Sequence, residues 1–117
     1  MKDYDNFFLP VTNLEEAKDF YRTLGLSMWF DFSAKGMVAF KVGNQEHAII
    51  LRDLNKFPKA QPAIWFVVDD VKEEYDRLRV KGIKFISEPF DIPTGMAVEF
   101  EDPFWNRLGI TDYAKRM

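Results

Sequence analysis

Few side chains in this chain can do chemistry. There is one histidine, His47, and no cysteine. Without a thiol there is no disulfide framework, no thiolate zinc site and no cysteine nucleophile. Glu99 and Glu101 fall two apart in a strand-like run, so they share one face of it. A histidine with two carboxylates can hold iron or zinc, or supply a base, if the fold brings them together. The same residues also read as a solvated histidine beside the Gly43-Asn44 turn and two outward charges of an antiparallel strand.

Those carboxylates adjoin the most patterned stretch, Phe100–Ile110, which reads FEDPFWNRLGI. Two apolar runs, Met96–Phe100 and Leu108–Ile110, flank a turn built on Asp102, Pro103 and Asn106. Asp-Pro initiates a turn, and Asn tolerates the left-handed backbone of a tight reversal. The expectation is strand, turn, strand.

At 117 residues with 47% hydrophobic content, the chain is long enough for one domain with a real core. No run of about 18 apolar residues is present, so no membrane-spanning helix is expected. The first residues lack the apolar core of a secretory signal, and a cytoplasmic location is the expectation. Net charge is −3 with the Lys and Arg residues scattered, which argues against nucleic acid and hints weakly at a cationic ligand. Aromatic residues reach 16%, which means either a Phe-rich core or a lined pocket.

The elements that must position these residues repeat. Asn13 before Leu14, with Glu16 three positions on, resembles a capping box, and Leu14, Ala17, Phe20, Tyr21 and Leu24 follow at helical spacing up to Gly25. A helix over Leu14–Leu24 follows a short strand that ends near Thr12, where Pro10 requires a free amide side. Strands are expected at Leu26–Phe32, Met37–Val42 and His47–Leu51. The second pass gives a strand at Ala63–Val68, a helix from Val71 to Gly82, and strands at Ile83–Ile86, Met96–Phe100 and Arg107–Thr111. Residues 113–117 are expected to fray. Val68, Asp70, Gly82 and Ile83 each lie 57 positions after Val11, Asn13, Gly25 and Leu26. A fixed offset marks a duplicated supersecondary unit. The reading is one domain over residues 1–117, made of repeats at about 4–53 and 62–113 joined by the 53–62 loop.

The stretches Val11–Leu26, Phe66–Phe85, Glu88–Gly95 and Asp102–Ile110, in this order, resemble the vicinal oxygen chelate superfamily. That group includes glyoxalase I, bleomycin-resistance proteins and extradiol dioxygenases. The resemblance implies an α+β fold of two βαβββ modules, whose curved mixed sheets surround a cup with the helices outside. It also implies a homodimer. Trp105 stands where the family's turn usually carries Gly, so either the turn conformation differs or Trp105 has a packing role. Metal-dependent members place His, Gln or Glu at four points, which fall here on Asn6, Leu51, Ala63 and Gly109. That set cannot hold the family's metal, and no cofactor is expected.

If Asn6 and Ala63 face the cup, alternation puts Phe8, Pro10, Trp65 and Val67 beside them, with Phe7, Leu9, Ile64, Phe66 and Val68 under the helices. Arg107, Gly109 and Thr111 face inward by the same rule. Trp29, Phe32 and Phe40 add to the wall, and His47, Leu51 and Glu99 complete the candidate ligand-binding set. The function expected is metal-free binding of a small, flat, partly apolar molecule, cationic antibiotic-like compounds included. The alternatives are a superfamily enzyme, lyase, isomerase or dioxygenase, with an unrecognised metal or a base such as His47 with Glu99, and a structural dimer with a filled cup. The expected partners are the ligand and a second copy of the chain, with no nucleic acid and no membrane.

Overall fold

The computed structural model describes residues 1–115. They form two compact units, Asn6–Pro62 and a second one made of Met1–Asp5 with the chain from Ala63 onward. Each unit carries one helix and a mixed sheet, so the fold is α+β.

In the first unit, β1 (Asp3–Val11) contributes its residues from Asn6 on, followed by α1 (Leu14–Thr23), β2 (Ser27–Phe32), β3 (Met37–Lys41) and β4 (Ala48–Asp53). The Asn13 side chain accepts from the Glu16 amide at 3.0 Å, so α1 starts where the cap signal put it. Strands β2, β3 and β4 pair antiparallel, and β4 pairs parallel with β1. Pro10 stands beside Arg52 of β4 in this parallel pair. Leu14, Ala17 and Tyr21 of α1 pack on Leu9, Val38, Phe40 and Leu51. Lys18, on the same helix, is buried. Its ammonium lies 2.8 Å from Glu15, 3.0 Å from Asp31 of β2 and 3.2 Å from the Ser33 hydroxyl. Hydrogen bonds from Ser33 and Lys18 hold the Asp31 carboxyl at a pKa of about 2, below its ordinary 3.8.

In the second unit, β5 (Ala63–Val67) leads into α2 (Val71–Val80), then β6 (Lys84–Phe85), β7 (Phe90–Ile92), β8 (Gly95–Glu101) and β9 (Arg107–Thr111). Asp70 caps α2 by accepting from the Glu73 amide at 3.0 Å, the counterpart of Asn13 in the first repeat. Strand β9 lies between β5, parallel, and β8, antiparallel, while β6 and β7 both pair with β8. The core under α2 is Val68, Val71, Val98, Phe100 and Ile110, with Phe66, Tyr75 and Phe85 against it. The strand expected over Ile83–Ile86 shrinks to two residues, because Ser87, Glu88 and Pro89 break the run before β7 re-forms on β8.

Just past β9, the buried Asp112 carboxylate accepts from the amides of Val71 at 2.9 Å, Met96 at 3.0 Å and Ala114 at 3.2 Å. It joins the start of α2, the start of β8 and the tail. The tail is further tied by Tyr113 to Asp5 and by Lys115 to Asp91 at 2.9 Å. Fraying was therefore the wrong expectation for 113–115, and Arg116 and Met117 lie outside the described residues. At the other end, the Lys2 amide donates to Val67 at 2.8 Å, and Tyr4 packs on Phe66.

The Asp-Pro turn forms as read. Asp102 accepts from the Phe104 and Asn106 amides at 2.8 and 2.9 Å and from the Asn106 side chain at 2.8 Å. The Asn106 and Phe104 hydrogen bonds lower the Asp102 pKa. Trp105 takes φ 69°, the left-handed conformation that glycine adopts without a Cβ clash.

Two measurements follow from these elements. Trp105 is exposed, so Trp105→Gly removes strain and no core contact. It is expected to raise unfolding free energy by about 0.5–1 kcal/mol in urea titration, strain relief of about 1–2 kcal/mol exceeding the added unfolded-state entropy. The depressed Asp31 pKa contributes stability that is complete above the ordinary carboxylate range and is lost as pH falls toward 2. The urea-midpoint difference between the wild type and Asp31→Asn should therefore be largest at neutral pH and shrink from pH ~4 to ~2.

Candidate functional site

The face of the first unit's sheet opposite α1 is set by strand register. In the parallel β1–β4 pair, Phe8 stands beside Ile50 and Pro10 beside Arg52, while β4 and β3 set Ala39 beside Ile50 and Met37 beside Arg52. Phe8, Ile50, Ala39, Arg52, Met37 and Lys41 therefore share this face, and alternation puts Leu9, Leu51, Val38 and Phe40 under α1. This corrects two expectations. Phe40 and Leu51 have no exposed surface and pack with Tyr21 and Leu14 beneath the helix. A one-residue error in a strand moves every side chain to the other face. His47 precedes β4 in irregular chain and is half-buried, and Asn6 uses its side-chain oxygen to accept from the Ala48 amide at 3.0 Å.

A bulge between Met28 and Phe30 shifts the β2–β3 register. Past it, Phe30 pairs with Ala39 and Phe32 with Met37, on the Phe8 face. Trp29 is turned to the same side, with the Lys41 ammonium 4.2 Å from its ring centre. Bulges re-aim side chains in this way. Phe30 and Phe32 stack at 4.6 Å, and Trp29 and Phe32 keep 50% and 52% of their surface exposed. Across the face the Arg52 guanidinium lies 4.0 Å from the Phe8 ring centre and 6.0 Å from Phe57. Sequence reading missed Phe30, Lys41 and Arg52. Arg52 was visible as the next same-face position after Ile50, whereas no signal announces a bulge.

In the second unit, Ala63, Trp65, Glu99, Arg107 and Gly109 come together on the face opposite α2. Trp65 pairs with Gly109, Gly109 with Glu99, and Ala63 with Arg107. The Trp65 indole lies flat against Gly109: a Cβ there would fall 2.4 Å from the ring. Its N–H donates to Glu99 at 2.9 Å, and the Arg107 guanidinium stands 3.6 Å from the other Glu99 oxygen. Trp65 is 4% exposed. The side chains of Glu99 and Arg107 are largely buried, and the Arg107 Nε has no acceptor among the described residues. Glu99 is thus a buried partner rather than an outward charge. Glu101 pairs with Lys84 at 3.4 Å.

These residues do not fit the metal that the fold family implies. Asn6 is spent on a backbone amide, Ala63 is a buried methyl, and the indole fills the space beside Gly109. At the fourth point, Leu51 lies under α1, and its chain neighbours Ile50 and Arg52, which face the other way, are not metal ligands. Among the described residues no three His, Asp or Glu side chains converge to hold a cation. Other concavities lie at the helix starts: about 390 Å³ between Pro10 and Tyr21, and about 210 Å³ around Asp70, Glu73 and Arg77.

Restoring any side chain at position 109 tests the packing. Gly109→Ala is expected to cost about 1–3 kcal/mol in urea unfolding, through displacement of Trp65 and its bond to Glu99. A variant as stable as the wild type would show that the indole is not held there.

Comparisons with known proteins agree with this architecture. The methylmalonyl-CoA epimerase of Mycobacterium tuberculosis superposes with a TM-score of 0.72 at 18% identity, over 94% of this chain and 87% of that one. A protein of Legionella pneumophila described as an NAD-dependent benzaldehyde dehydrogenase gives 0.73 at 22% identity, over 92% and 97%. A glyoxalase/bleomycin resistance protein/dioxygenase superfamily member of Vibrio splendidus 12B01 gives 0.67 at 14%, over 91% and 95%. At these identities the likeness is one of fold. No curated protein matches the sequence. The sequence family described as the Glyoxalase/Bleomycin resistance protein/Dioxygenase superfamily matches residues 4–110, and the chain belongs to that superfamily.

Proposed function

We propose that this protein binds a small, flat, partly apolar molecule without using a metal. The observation that carries the reading is the aromatic face of the first unit, where Trp29 and Phe32 stand half-exposed beside the stacked Phe30. Half-exposed rings on a sheet present flat apolar area at little entropic cost, and a planar ligand covers them by stacking. Lys41 and Arg52 supply polar groups that orient such a ligand. The second unit supports the metal-free part of the reading. Its buried carboxylate is engaged by Trp65 and Arg107, and its position 109 has no side chain. The homodimer implied by the resemblance belongs to the same reading and is checked by light scattering.

Calorimetric titration of the purified protein with quinoline, with and without EDTA, tests this. Saturable binding below millimolar concentration is expected, unchanged by EDTA and weakened about tenfold in Trp29→Ala, the loss of about 1.4 kcal/mol of stacking. Binding that EDTA abolishes would overturn the metal-free reading, and no binding would overturn the ligand reading.

A further inference from the structure

The charges on this aromatic face have one sign. From the register, the face carries Asn6, Phe8 and Pro10 of β1, Ala48, Ile50 and Arg52 of β4, Met37, Ala39 and Lys41 of β3, and the rings of β2. The first unit places two cations there and no carboxylate. Asp31 of β2 points to the α1 side, where Lys18 holds it, and Asp53 of β4 bonds back to Asn55. In a chain of net charge −3 a sheet face without an acid is a local reversal of sign.

Lys41 makes that reversal usable. Its ammonium lies 4.2 Å from the centre of the Trp29 ring, and among the described residues no carboxylate pairs with it. The bulge at Met28/Phe30 is what brings Trp29 to this position. An ammonium over the ring of a half-exposed indole attracts an anion at one point, beside the exposed rings of Trp29 and Phe32 that offer a stacking surface. A cationic ligand would meet Lys41 as a like charge.

We propose that the ligand is a flat aromatic anion, of the aromatic carboxylate class, whose ring stacks on Trp29 and Phe32 and whose charged group pairs with Lys41. This rests on the reading of the face as a binding surface. It replaces the cationic compound suggested by overall acidity, because local charge acts over the few ångströms of contact while net charge is screened within about 8–10 Å.

The test uses three probes of one shape: quinoline-2-carboxylate, quinoline and N-methylquinolinium, titrated by calorimetry into the full chain. The carboxylate is expected to bind about tenfold more tightly than the quinolinium and to weaken with added salt. Lys41→Met should erase the preference, and Lys41→Glu should invert it. A preference for the quinolinium, or a carboxylate preference that survives Lys41→Glu, overturns the proposal and leaves the binding surface standing. Failure of all three probes to bind overturns both. Melting curves confirm that the Lys41 variants fold, and Lys41→Arg, which keeps the charge, should keep the carboxylate preference.

Discussion

A missing side chain organises the interior of the second unit. Because position 109 has no Cβ, the Trp65 indole can lie flat against β9, and no other residue type would allow it that close. The indole then points its N–H at Glu99, and Glu99 in turn stands against Arg107. Three residues that could have formed a reactive cluster instead neutralise and fill one another. Burial makes such an arrangement costly to break, since any one removal strands a polar partner away from water. The chemistry of the superfamily's metal-dependent members needs open, deprotonated donors at these points. This chain has a packed indole there.

The first unit is governed by register instead. Parallel pairing of β1 with β4 sends Leu9 and Leu51 beneath α1 and leaves Phe8 and Arg52 on the other side. The β2 bulge then breaks strict alternation and sets Trp29 and Phe30 on the same side. An aromatic, basic surface results from two local backbone decisions and not from any run of basic sequence.

Much of the fold was legible because it is written locally. The capping residues Asn13 and Asp70, the 57-position offset and the Asp102 turn each carry a short-range physical cause, and each appears where it was read. Arg107–Thr111 was read to the residue. Face assignments depend on the anchor from which alternation is counted: within the second unit Ala63, Trp65, Arg107 and Gly109 share a face as read, while within the first unit Phe40 and Leu51 lie under α1, one residue out of the expected phase. Asp112 left no signal at all. A lone acid after a strand looks like a surface turn, and two of its three amide partners, Val71 and Met96, lie far from it in sequence. The candidate surface was half legible for the same reason. Trp29 and Phe32 announce themselves by composition, but Lys41 gains meaning only from the bulge opposite it.

The way β1 is divided has a consequence for the order of folding. Residues Asn6–Pro62 are one continuous segment, so that unit has all its strands once β4 leaves the ribosome. The other unit needs Met1–Asp5 and the chain beyond Ala63 together. Lys2 and Tyr4 must wait for Val67 and Phe66, and Asp5 must wait for Tyr113, 108 residues later. Closing so long a loop is slow, and the early partner spends that interval unpaired. During synthesis Met1–Asp5 are therefore made first and completed last, when the final strand of the chain brings their partners.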